Sequence, residues 1–150
     1  MTGMEELLAC VDQKEVLLTR IFNLARQIEV VCCEPEHPAP TALIQQRQVF
    51  LERLKKCADR VSFLIGRMPA PDQERVSGVL SGRVSKQECS EQEQLLRDRE
   101  TRCRSLLRGA LASDAESARQ MKKERDRLQK LVNDSRGKGR ETSPFSNVTV

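Results

Sequence analysis

From Met4 to Cys32 one side of the chain is apolar at steps that alternate between three and four residues. The series is Met4, Leu7, Val11, Lys14, Leu18, Ile21, Ala25, Ile28 and Cys32, with Lys14 its one polar member. That spacing is a heptad seam and predicts a helix over residues 4–33. Leu8, Leu17, Phe22 and Leu24 widen the apolar face beyond what one neighbouring helix covers. A face this broad asks for two neighbours.

The rest of the chain supplies candidates. Three prolines between Glu34 and Pro40 end the first helix, since proline cannot continue the hydrogen-bond ladder. Thr41 is placed to cap a second helix over 42–68. Its stripe is Ile44, Leu51, Leu54, Ala58, Val61, Ile65 and Met68, joined by Leu43, Phe50, Cys57 and Leu64. A connection this short folds the two helices back as an antiparallel pair. Pro69 and Pro71 close the second helix, and residues 72–84 form a weak stretch with two glycines and room for one short helical turn. Ser85-Lys86-Gln87-Glu88 then reads as a capping box opening a third helix over 86–133.

That third segment carries two apolar registers. Cys89, Leu96, Cys103, Leu106 and Ala110 fit one, whereas Leu107, Leu111, Ala118, Met121, Arg125, Leu128 and Val132 fit another. The change falls near Gly109, and glycine costs about 1 kcal/mol in a helix interior, so a stutter or break is expected there. Two outcomes stay open. An unbroken helix of about 70 Å would overhang a bundle only about 45 Å long. A bent one would pack back as a fourth bundle helix. From Asp134 onward the chain is polar, glycine-containing and without period, and residues 135–150 read as a disordered tail. The expected fold is therefore all-α: an antiparallel helical bundle of three long helices, or four, in one domain over 1–134.

Composition narrows the function. With no Trp, no Tyr and 3% aromatic residues, a β-sandwich is disfavoured, and 32% charged residues suit long helices. The only histidine, His37, sits among prolines, which leaves little for acid–base or nucleophilic catalysis. Gly78, Gly82, Gly137 and Gly139 lack the spacing of a phosphate loop. Carboxylate pairs such as Glu5/Glu6 and Glu91/Glu93 read as solvated. The best metal candidate is Cys32, Cys33 and His37. Adjacent helical cysteines do not readily reach one ion and no fourth ligand is evident, so a buried Cys32 beside an incidental Cys33 is the preferred reading. No enzyme, cofactor, metal or small-molecule substrate is expected.

The N-terminus is acidic where a secretory signal is basic, and the most apolar run, Ile28 to Cys33, is far shorter than a membrane span. These features predict a cytoplasmic protein, not inserted in a membrane, whose six cysteines are reduced thiols. Net charge is +4, and residues 97–150 hold 14 basic and 8 acidic side chains, a local +6. Basic and acidic residues alternate there as on a solvated helix face, and no recognition motif accompanies them, so nucleic-acid binding is disfavoured. What remains is surplus apolar surface on a long helix, which generally finds a groove on a partner.

The segment Leu43-Ile44-Gln45-Gln46-Arg47-Gln48-Val49-Phe50-Leu51-Glu52-Arg53-Leu54 resembles the opening of helix two in flagellar export chaperones of the FlgN/FliT type. Lys14-Glu15-Val16-Leu17-Leu18 through Leu24-Ala25-Arg26-Gln27 is similar to their first helix, and the resemblance spans roughly 4–132. It implies a chaperone that binds terminal helices of hook-associated or filament-cap subunits and passes them to the type III export machinery. The second register, Leu107, Leu111, Ala118, Met121, Arg125, Leu128 and Val132, would then be the client site. Arg119, Lys123, Arg125 and Arg127 would steer the complex at its rim. The alternative is a homo-oligomeric coiled-coil scaffold or adaptor, a homodimer for instance, unrelated to flagella.

Overall fold

A computed structural model describes residues 2–36 and 38–142, with side chains as far as residue 137. Among the described residues there is no strand. The elements are α1 (Gly3–Cys33), α2 (Thr41–Gly66), α3 (Ala70–Ser81), a 3-10 turn (Lys86–Glu88) and α4 (Glu91–Thr142). The chain is all-α, and α1 lies between two long partners, as its broad apolar face requires.

Thr2 opens α1 with a capping box, its hydroxyl accepting from the Glu5 N–H at 3.1 Å and the Glu5 carboxylate accepting from the Thr2 N–H at 3.2 Å. Every seam member from Leu7 to Cys32 is buried except Lys14, and Leu17 and Leu24 on the widened face are buried too. Lys14 stays in the seam because its ammonium donates to Glu100 of α4 at 3.1 Å.

One flank of α1 is covered by α2, running antiparallel. The Cys57 thiol meets the Cys10 carbonyl at 3.2 Å, and Arg60 reaches Glu6 at 3.8 Å. Only a single seam of α2 is covered, through Phe50, Leu54, Cys57, Val61 and Leu64. Leu51 and Ala58, expected in this stripe, are exposed, because α2 packs chiefly on α1 and needs one narrow face. Thr41 is also corrected: the helix starts at Thr41 itself, after Pro40, with no side-chain cap.

The weak stretch is in fact a helix of 12 residues, α3. Pro71 is tolerated in its first turn, where the amides lack partners anyway, and Asp72 suits the positive end. Val76 and Val79 are buried against Leu7, Val11 and Leu96, and this burial overrides poor propensity. Gly82 ends α3 with φ 82°, a left-handed cap that costs glycine little. The fourth bundle helix is therefore α3, and not a doubled-back C-terminal half.

The start of the long helix moves as well. Ser85 makes no side-chain cap, and Lys86–Glu88 form only the 3-10 turn. The working capping box is Ser90-Glu91-Gln92-Glu93: the Glu93 N–H donates to Ser90 Oγ at 3.2 Å, and the Ser90 N–H donates to the Glu93 carboxylate at 2.9 Å. Arg75 of α3 holds the same carboxylate at 2.8 Å. Glu93 is thus not the solvated carboxylate that the sequence suggested, and these bonds lower its pKa from 4.5 to about 2.

From Glu91 α4 runs unbroken to Thr142, about 78 Å at 1.5 Å per residue against about 46 Å for α1. The backbone stays helical past Asn133, and residues 143–150 of the expected tail lie outside the described residues. No helix among the described residues is long and apolar enough to cross a membrane.

Candidate partner-binding surface

Parallel to α1 and on its other flank, α4 keeps a constant offset. Lys14 meets Glu100, 86 residues on, and Glu15 meets Arg102, 87 residues on. Asp12 pairs with Arg99, and Gly109 lies under the Phe22 ring. The same offset brings Cys33, the end of α1, level with about residue 120. Among the described residues everything beyond is overhang, flanked only by the connection after α1.

No break occurs at Gly109. A Cβ built there would stand 2.5 Å from Cε2 of Phe22, so the glycine is the place where α4 comes close to α1. The α1-facing seam of α4 keeps one register throughout. Leu96, Cys103 and Ala110 are buried, followed at heptad spacing by Ser113 and Ser117, which are buried too. Burial in this seam, with Glu100 as a lesser contributor, pushes the Cys103 thiol up to about 11 and keeps it neutral.

The second register runs one residue ahead of that seam, which turns it about 100° away around the helix. Leu107, Leu111, Met121, Leu128 and Val132 are between 37% and 59% exposed. Ala118 and Arg125 are exposed as well. All seven residues named from the sequence therefore lie on one continuous face of one unbroken helix, away from α1. Leucines left this open in a stripe are not a normal bundle face, although single exposed ones are common.

Two further features of the surface lie outside the sequence pattern. Leu131 is 52% exposed because it continues the α1-facing seam beyond the point where α1 ends. Ala39 and Pro40, in the α1–α2 connection, form the opposite wall of a groove of 490 Å³ over Met121, Arg125, Leu128 and Val132. Periodicity shows neither, since both depend on where α1 stops along α4.

No family model, curated protein or solved structure matches this chain.

Part of the basic charge of α4 is answered within the chain. Arg102 pairs with Glu15, Arg119 with Glu116 and Arg127 with Glu124. Arg125, inside the stripe, has no acidic partner among the described residues. Asp114, also in the stripe's register, reaches Arg47 on α2. A larger concavity of 580 Å³ lies at the far end of the bundle between Gly3, Met68 and Val76, but its ion pair Arg75–Glu93 is already satisfied internally. Cys32 is buried and Cys33 exposed on successive helical positions, while His37, the third member of the metal candidate, lies outside the described residues.

Proposed function

We propose that this protein is a cytosolic export chaperone of the flagellar FlgN/FliT type. It holds a terminal helix of a hook-associated or filament-cap subunit along α4 and passes the subunit to the type III export machinery. One observation carries the reading: an apolar stripe from Leu107 to Val132 stays uncovered on a helix that outreaches its own bundle. A client's amphipathic helix has the matching need, since its apolar residues at three- and four-residue steps require a groove until assembly provides one. Met121 adapts to more than one ligand shape, and Arg125 favours an acidic residue on the client. Holding and release are equilibrium binding and require neither nucleotide nor metal.

Co-expression with a hook-associated subunit and pull-down tests this. The double variant Leu128→Asp with Val132→Asp places two charges in the apolar half of the groove and should abolish co-purification while helicity is retained. Unchanged capture by that variant would remove α4 as the client site.

A further inference from the structure

The stripe on α4 is complementary to its own reverse. Paired symmetrically about a point between residues 119 and 120, Leu107 meets Val132 and Leu111 meets Leu128. The same pairing sets Asp114 against Arg125 and the small Ala118 against the large Met121. A two-fold axis requires this kind of match, because a residue that contacts another across the axis is contacted by it in return. In heptad terms each pair joins an a to a d position, as antiparallel coiled coils do. Parallel pairing would stack each residue on its own copy, Arg125 on Arg125 and Asp114 on Asp114. An antiparallel pairing slipped by one heptad would set Asp114 against Val132 or Arg125 against Leu107. One register alone satisfies every layer.

The end of α1 falls at the same point. Since the α1–α4 offset puts Cys33 level with about residue 120, the axis passes where the bundle stops. Residues 107–118 flank the bundle and 121–132 overhang it, so each overhang would lie along the supported half of the other copy. Asp114 is part-exposed and also accepts from Arg47 of α2 through Oδ1.

We propose that, without a client, two copies of this chain pair antiparallel through the α4 stripe about a two-fold axis between Ala118 and Met121. A client helix displaces the second copy; that displacement rests on the client reading above, whereas the pairing does not.

The test uses the full chain in reducing buffer, with mass measured by light scattering and helicity checked by circular dichroism. Wild type forms a dimer at micromolar concentration. Arg125→Asp sets acid against acid in both charged layers and Asp114→Arg sets base against base, each weakening pairing by on the order of a hundredfold. An equimolar mixture of the two variants restores the dimer, because both layers of the mixed pair regain opposite charges. A monomeric wild type, single variants that stay dimeric, or a mixture that stays monomeric overturns the pairing. If a hook-associated subunit still binds in that case, the client reading survives alone. If the charge swap works but the subunit neither binds nor splits the dimer, the pairing survives and the client reading fails.

Discussion

Replacing Gly109 by alanine distinguishes a weak point in α4 from a close contact. At a weak point, alanine stabilises a helix by about 1 kcal/mol. At a close contact, the new methyl must find space. Here a Cβ would stand 2.5 Å from Cε2, 3.0 Å from Cδ2 and 3.3 Å from Cζ of Phe22. Carbon atoms settle at about 3.5–4.0 Å, so the nearest ring atom is about 1 Å too close. The ring is planar and stiff, and it already packs against the cluster of Ile21, Ala25 and Ala110. Either Phe22 leaves that cluster or α1 and α4 separate, and overpacking of this kind costs about 1–3 kcal/mol. After the propensity gain, Gly109→Ala should be destabilising by about 1 kcal/mol in urea unfolding followed by far-ultraviolet circular dichroism. Phe22→Leu opens the contact, and in that background the same alanine should stabilise. The double-mutant cycle then reads a coupling of about 2 kcal/mol between the two sites. A single Gly109→Ala variant that gains about 1 kcal/mol would refute the close contact, and with it the straight passage of α4 along α1.

Ser90→Ala removes the cap of α4 and should cost about 1 kcal/mol, whereas Ser85→Ala should change urea stability by less than about 0.5 kcal/mol. Lys14→Met leaves the largely covered Glu100 carboxylate without its cation and should cost about 1–3 kcal/mol at neutral pH, with the helical signal of the folded state retained. Glu93 has a folded pKa near 2 against an ordinary 4.5, so its contribution is full above pH 4.5 and is lost as pH falls towards 2. The stability difference between wild type and Glu93→Gln should therefore close across that window, and a difference independent of pH would exclude the Arg75 bond as its source.

How much of this was written in the sequence differs from element to element. The α1 seam could be read residue by residue, Lys14 included, because one helix with two neighbours leaves little choice of face. α3 is less legible: its glycines lower propensity, and the burial of Val76 and Val79 that outweighs them depends on residues far along the chain. Two Ser-x-x-Glu boxes lie five residues apart, at Ser85 and Ser90, with equal local chemistry. Between them, buried Cys89 holds an extended backbone, and that packing selects the second box. The two registers of α4 were visible, but a pattern alone does not separate a stutter from a straight helix with two faces. The ring of Phe22 over Gly109 separates them.

The straight helix changes what the second register means. Within α4 the usual order is inverted: Ser113 and Ser117 face α1 and are buried, while Leu107, Leu111 and Leu128 one register on face solvent. Burying a leucine is worth about 1.5–3 kcal/mol, so a sequence shaped only for this bundle would exchange the two sets. Ser117 adds to the anomaly, since its hydroxyl is buried with no hydrogen-bond partner among the described residues. Small side chains in the seam do have a role, because they let α4 approach α1 as closely as Gly109 and Ala110 do. That closeness holds α4 against α1 as far as the end of α1, beyond which the unbroken helix runs on. The leucines outside the seam contribute nothing comparable to the monomer. Their spacing, the groove walled by Pro40 and an Arg125 with no acidic partner among the described residues are the features on which the proposed second helix rests.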